Sequence, residues 1–206
     1  MTVLRRLVIV ALVLLALLGI SQLVIPPIVE NRVEDRLTAA GGSADVSMSA
    51  FPALRLLFGD GSRIAVSGHD LDLTSESASG DVFSKLDGYD QVAVNLDDLR
   101  AGPFTLATFD LTRVAPAAPY HLVARGRTDP TDLASYGASQ AGLPGGSLLN
   151  YLGDQVLGRS FIPIRLDMEL ESEDGSIVVT NGTGTIAGIP TGPLAELITS
   201  VVVLKL

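Results

Sequence analysis

A long uncharged run near the start of the chain constrains the fold more than any other feature. Residues 7–29 (LVIVALVLLALLGISQLVIPPIV) contain no charged side chain, two arginines precede them, and Glu30 is the first acid after them. An α-helix needs ~20 apolar residues to cross the ~30 Å hydrocarbon core of a bilayer. The run therefore predicts an N-terminal transmembrane helix. Its anchoring side chains include Leu7, Leu14, Leu18 and Ile25.

Two other interpretations of this run remain open. It has the features of a cleaved secretory signal, with an apolar stretch at residues 7–18 and a small-x-small triplet at Gly19-Ile20-Ser21. A buried core helix is the third interpretation, although the run has no polar face. The anchor and the signal share one consequence, because Arg5 and Arg6 favour the cytoplasmic side. We expect a single-pass protein of the cytoplasmic (inner) membrane, with residues 1–27 as anchor or signal and residues 28–206 as an extracytoplasmic domain.

Composition excludes several classes of partner. The net charge is −9, and all 23 acidic residues follow the apolar run. This acidic balance argues against nucleic-acid binding and against a polybasic segment that binds anionic lipid. The chain has no cysteine, which excludes a disulfide framework and a thiolate metal site. Aromatic residues make up 5% and tryptophan is absent, so a stacking surface for bases or sugars is poorly supported.

The rest of the chain shows strand periodicity with a few helical segments. Val29, Val33 and Leu37 fall on one helical face, a second helix is predicted to begin after Pro26-Pro27 ends or kinks the leader, and Gly41-Gly42 stops it. Alternating apolar residues predict strands near residues 43–50, 63–73, 91–97, 104–114, 120–127, 161–171 and 176–180.

Two further patterns complete the predicted fold. The apolar residues of two predicted strands change between even-numbered and odd-numbered positions, at Gly68-His69 and near Thr108-Phe109, which predicts β-bulges. Helices are expected from Asp129, over residues 147–157 and from Gly192, and the apolar tail is expected to be packed or paired. Antiparallel strands with interspersed helices indicate an α+β domain.

Signals for catalysis and metal binding are weak. The two histidines, His69 and His121, lie on separate predicted strands. No H-E-x-x-H and no G-x-S-x-G occurs. Of the two best acid pairs, Asp97-Asp98 points to opposite faces of a strand, and Asp70 and Asp72 could share a face but are expected to be solvated surface. We therefore expect a protein that is not an enzyme and that uses no cofactor or metal.

The distribution of apolar residues has two explanations. The simpler one is that the half-buried strands, the apolar helix at residues 147–157 and the tail fill an ordinary core. The alternative is that the strands curl around one or two helices and leave a groove for acyl chains, where each buried methylene contributes ~0.8 kcal/mol. Periodicity alone does not separate these two outcomes.

The order of motifs resembles a known family. An apolar leader and a short charged helix ending in Gly-Gly are followed by Ser49-Ala50-Phe51-Pro52-Ala53-Leu54, by Gly59, and by a strand ending His69-Asp70-Leu71-Asp72-Leu73. This arrangement is similar to the actinobacterial LmeA-like family of envelope phospholipid-binding proteins, over roughly residues 28–206. The start, with Pro26-Pro27-Ile28-Val29-Glu30-Asn31, also resembles AsmA-like envelope proteins. Both resemblances imply lipid handling outside the cytoplasm, and the first implies a tubular sheet wrapped around helix and a role in maintaining envelope lipids or lipoglycans.

Our hypothesis from the sequence is a membrane-tethered domain that binds phospholipid acyl chains in an apolar groove. The expected lining is Val33, Leu37, Phe51, Leu54, Phe58, Leu148, Leu152 and Val156. The alternative function is a structural or scaffolding module that recruits an envelope protein through its acidic surface. A hydrolase or transferase with an unrecognised site is a third possibility.

Overall fold

The computed structural model describes residues 2–73, 83–132, 161–173, 175–186, 189–190 and 203. In chain order the helices and strands are α1 (Thr2–Leu37), β1 (Ser43–Ser49), a 3-10 helix (Ala53–Phe58), β2 (Gly61–His69), β3 (Asp72–Leu73), α2 (Ser84–Asp87), β4 (Tyr89–Ala101), β5 (Phe104–Arg113), β6 (Tyr120–Thr128), β7 (Ile162–Glu173), β8 (Ser176–Ile186) and β9 (Ile189–Pro190). The described elements form the mixed α+β arrangement, with an apolar N-terminal helix, that the sequence predicts.

The first helix continues through both prolines. Pro26 and Pro27 lie inside α1, so the predicted start of a second helix at this point is wrong. Each proline removes one helical N–H, which leaves the carbonyl groups of Gln22 and Leu23 without their usual donors. The helix persists because its contacts with the domain extend across the prolines, with partly buried Ile25 and Val29 packed against the core.

Two glutamates fix α1 along the free edge of the sheet. The Glu30 carboxylate accepts a hydrogen bond from the backbone N–H of Met48 (2.6 Å), and Glu34 accepts one from Val46 (2.9 Å). Four residues of a helix and two residues of a strand both span ~6–7 Å, so the spacings match. The helix therefore runs antiparallel to β1 and satisfies N–H groups that an edge strand otherwise leaves unpaired.

One sheet organises the described residues. Its strand order is β1-β2-β4-β5-β6-β7-β8-β9, with β3 also paired to β4. Most neighbours are antiparallel, but β2 and β3 pair with β4 in parallel, which departs from the antiparallel sheet predicted from sequence. The order is an open path with β1 and β9 at its two edges. The curled, tubular arrangement stays a prediction.

A row of backbone irregularities crosses three neighbouring strands. Asp70 and Asp98 both adopt left-handed backbone conformations, with φ of 54° and 50°. The β5 register shifts between Leu106 and Thr108, which confirms a bulge close to the predicted position. The other predicted bulge, at Gly68-His69, is instead a break after β2 at Asp70. Inward parity changes at each site, from Val66 to Leu71 in the β2–β3 segment, for example, so the same face of the sheet stays apolar across the row.

The core lies on one face of the sheet. It joins alternate residues of β1, β2 and β4–β7 to the last turns of α1, and Val203 near the C-terminus is also fully buried. The helix start predicted at Asp129 is confirmed, since its carboxylate accepts the Thr131 N–H (2.7 Å). The helices predicted over residues 147–157 and from Gly192 lie outside the described residues.

Candidate functional site

An open cavity of about 390 Å³ lies where α1 meets the start of β2, the 3-10 helix and α2. This volume falls in the ~300–1,000 Å³ range of small-ligand sites. Its lining consists of Val29, Arg32, Val33, Arg36, Met48, Leu56, Phe58, Gly59, Asp60, Ile64, Ser84, Lys85, Leu86, Gly88 and Tyr89. The lining combines apolar side chains from five elements with several charged ones.

The floor of the cavity is apolar and well packed. Met48, Leu56, Ile64 and Leu86 are each buried to at least nine-tenths of their surface. The Tyr89 hydroxyl reaches the Met48 sulfur (3.5 Å). Burial raises the pKa of Tyr89, and the nearby Asp60 carboxylate raises it further, so this hydroxyl stays neutral. The floor therefore offers apolar surface with one neutral hydroxyl.

The rim of the cavity carries positive charge. Arg32 and Arg36 are exposed and lie one turn apart on α1, and Lys85 approaches from α2. Among the lining side chains that the structure describes, Asp60 is the acidic one. Guanidinium groups bind phosphate and carboxylate oxygens through paired hydrogen bonds. In an acidic chain, this local cationic rim above an apolar floor suits an amphiphile with an anionic headgroup.

The structure brings together only part of the predicted lining. Val33 and Phe58 line the cavity, whereas fully buried Leu37 belongs to the core. Phe51 and Leu54 lie outside the cavity with 75% and 46% of their surface exposed. Leu148, Leu152 and Val156 lie outside the described residues. The groove lining as a whole stays a prediction.

Sequence reasoning missed the contributions of Met48, Ile64 and Tyr89 to this cavity. Met48 and Ile64 lie at apolar positions of predicted strands, and Tyr89 lies outside the predicted strands. The cavity exists because α2 and the 3-10 helix meet at one end of the sheet. The arginines at 32 and 36 were visible as a charged face of α1. Nothing in the pattern indicated that this face borders an apolar floor.

A buried arginine forms a second polar cluster that sequence reasoning also missed. Arg113 is 5% exposed and donates through Nη2 to the backbone carbonyls of Leu86 (3.0 Å), Asp87 (3.3 Å) and Tyr89. Its Nη1 also reaches the Asp87 carboxylate (3.3 Å). The available signal was its position, since Arg113 continues the inward series of Phe109 and Leu111 on β5.

The rest of this cluster closes around the same carboxylate. Tyr120 donates to Asp87 Oδ1 (2.9 Å), and Ser172 donates to Oδ2 (2.5 Å). The Arg113 guanidinium lies 4.5 Å from the centre of the Tyr120 ring. Burial raises the pKa of Tyr120 well above its usual range, although the positive charge of Arg113 opposes this. The cluster holds α2 against β5, β6 and β7, and its tyrosine is not poised to ionise.

The two histidines lie apart from both sites. The His69 Nδ1 contacts Asp70 Oδ2 (2.9 Å), and the His121 Nε2 contacts Asp167 Oδ1 (3.0 Å), both at exposed positions. Among the residues that the structure describes, no three His, Asp or Glu side chains converge on a possible metal position.

The membrane-like character of α1 is evident from its surface. Residues Arg6–Leu37 form a helix long and apolar enough to cross a bilayer, with a mean hydropathy of 2.9 in its most apolar stretch, none of which is buried. Large side chains along it, such as Leu15 and Leu23, are 65% and 79% exposed. A free apolar helix of this length is unfavourable in water, so these properties are compatible with a membrane anchor.

Comparison of the chain with protein-family models, with curated proteins and with solved structures found no match.

Proposed function

We propose that this protein is a single-pass, membrane-tethered domain that binds phospholipid outside the cytoplasm and does not act as an enzyme. The observation that carries the proposal is the cavity beside α1, which combines an apolar floor with a cationic rim. A phospholipid has the complementary chemistry, because its phosphodiester is anionic and its chains are apolar. The proposal agrees with the LmeA-like resemblance, which implies a role in maintaining envelope lipids or lipoglycans and a sheet that curls into a tube.

The position of the cavity supports this ligand over a soluble amphiphile. Val29, the last residue of the uncharged run, and Arg32, one turn later, both line the cavity. Where an apolar helix leaves a bilayer, the charged residues that follow it lie at headgroup level. The rim therefore lies where phospholipid phosphates are abundant, and the floor lies where a lipid can enter without crossing much water.

The first test removes the positive rim and leaves the fold intact. In Arg32→Ala/Arg36→Ala, both substituted side chains are exposed, so we expect an unchanged fold. Loss of two charge-assisted contacts at ~1.5–3 kcal/mol each predicts a drop of ~10²-fold or more in affinity for anionic phospholipid. Native mass spectrometry of the full chain released from nanodiscs checks this. It measures whether one phospholipid stays bound after the others have dissociated.

The matched control is Arg63→Ala/Arg100→Ala, which removes two exposed arginines that do not line the cavity. We expect this variant to retain phospholipid as the wild type does. Equal retention by all three proteins would contradict a role for the rim. If none retains a phospholipid, while an envelope protein co-purifies in a salt-sensitive manner, the scaffolding alternative replaces this proposal.

A further inference from the structure

An apolar patch on the folded domain lies beside α1, apart from the cavity floor. Phe51, Leu54, Leu57 and Phe58, on and next to the 3-10 helix, are 75%, 46%, 57% and 82% exposed. Buried Ala53 and Leu56 hold the same segment to the domain, so the exposed side chains are presented outward from a fixed backbone. Such an exposed cluster of large apolar residues marks an interaction surface.

The height of this patch along α1 follows from side-chain contacts. Gln22 contacts the segment in the amide orientation that satisfies both groups: its nitrogen donates to the Ala50 carbonyl (3.2 Å) and its oxygen accepts from the Ala53 N–H (2.8 Å). The contacts of Glu30 and Glu34 with β1 show that the strand and α1 run in opposite directions, so residues later in the strand lie beside residues earlier in the helix. The segment after β1 therefore lies beside Gln22, within the uncharged run.

This height places the patch inside the hydrocarbon region if α1 spans a bilayer. Counted from Leu7, ~20 residues reach Pro26, so Gln22 lies ~6 Å inside that boundary. Interfacial segments typically bury their apolar face by ~5–10 Å. Leu23 and Val24 of α1 are also exposed at this level, at 79% and 48%, so the patch continues the apolar surface of the helix.

We infer that the 3-10 segment, with Phe51, Leu54, Leu57 and Phe58, inserts into the leaflet from which α1 emerges. The domain then has two membrane contacts, the spanning helix and this shallow apolar segment. The occupant of the patch is the acyl region of that leaflet, because the same bilayer must already surround α1 at this height. The inference does not require the cavity to hold a ligand.

Single tryptophan reporters test the insertion, because the chain has no tryptophan of its own. Phe51→Trp and Phe58→Trp replace exposed rings, so we expect the fold to be unchanged. The matched control is Phe161→Trp, which replaces a phenylalanine that is 52% exposed and precedes β7. This position lies at the opposite end of the sheet, because its neighbour Ile162 pairs with Thr128, and Thr128 pairs with Phe104 at the start of β5. Each full-length variant is reconstituted in nanodiscs with and without phospholipids brominated on the acyl chains.

Insertion predicts that the brominated lipid quenches tryptophan at 51 and 58 several-fold more than at 161. Aqueous acrylamide should show the reverse order. The inference is overturned if acrylamide quenches all three reporters equally and the brominated lipid quenches none above the control. Quenching of position 161 as strong as that of 51 and 58 would also overturn it, since it would show lipid contact without selectivity for the patch.

Discussion

At the scale of single residues, Arg113 donates hydrogen bonds to three backbone carbonyls at once. Its guanidinium fills the space between α2 and the first residue of β4, where the carbonyls of Leu86 and Tyr89 point inward. An apolar side chain of similar length would preserve packing but would remove the guanidinium donors from these carbonyls. The side chain is therefore structural, and the cluster around Asp87 needs no catalytic role to explain it.

Replacing Arg113 by methionine should destabilise the domain by ~2–4 kcal/mol, since three carbonyls lose the guanidinium donor and the partly buried Asp87 carboxylate loses its cationic partner. Denaturant unfolding of the full chain in nanodiscs, followed by circular dichroism, measures this loss. Arg125→Met, at an exposed position of β6, is the control and should change the free energy of unfolding by less than ~0.5 kcal/mol. Similar stability of the two variants would show that the buried contacts contribute little.

At the scale of elements, α1 and the edge strand β1 stabilise each other. The pairing of Glu30 with Met48 and of Glu34 with Val46 gives the strand the acceptors that a further strand would supply. Val33 lies between the two glutamates in the sequence, Leu37 follows the second one, and both side chains are buried in the core. The helix thus covers the sheet edge, and the same helix carries the apolar stretch that is compatible with a membrane anchor.

Removing both acceptors tests this arrangement. Glu30→Ala/Glu34→Ala should lower the free energy of unfolding by ~2–4 kcal/mol, because each lost bond leaves a part-buried N–H unpaired at ~1–2 kcal/mol. Faster hydrogen exchange at the Val46 and Met48 amides provides the local measurement. Glu30→Gln/Glu34→Gln keeps the acceptor oxygens and should lose less. Unchanged exchange in the alanine variant would contradict the account.

At the scale of the whole molecule, three features converge on one end of the sheet. These features are the cavity, the exposed apolar patch and the part of α1 where the uncharged run ends, and all three lie near the start of β2. Phe58 belongs to both the cavity lining and the patch. If the patch enters the leaflet, the cavity beside it lies close to the lipid headgroups, which gives a phospholipid a short lateral path into the site.

Local periodicity predicted the elements better than their assembly. Strict alternation in β1 and β7 identified these strands because each has one buried face. The parallel pairing of β2 with β4 was not predictable in this way, since alternation carries no strand direction. The continuity of α1 through Pro26 was missed because it depends on packing against the sheet on both sides of the prolines.

The candidate site shows the same limit. Val33 and Phe58 were selected for their apolar character, and both line the cavity. Leu54 has the same character but lies outside the cavity, because the side chains of one short 3-10 helix point in different directions, and Phe51 precedes that helix. The cationic rim combines residues of α1 and α2, which line the same cavity but are far apart in sequence.

The most direct test of a phospholipid site beside α1 is photo-cross-linking in nanodiscs. The full chain is reconstituted with a phospholipid that carries a diazirine on one acyl chain, and the adducts are mapped by peptide mass spectrometry. We predict adducts on the cavity floor, at Met48, Ile64 and Leu86, which are buried and not reached by bulk lipid. Adducts confined to the exposed surface of α1 and to Phe51, Leu54 and Leu57, which do not line the cavity, would contradict the account and would mean that the cavity holds no lipid.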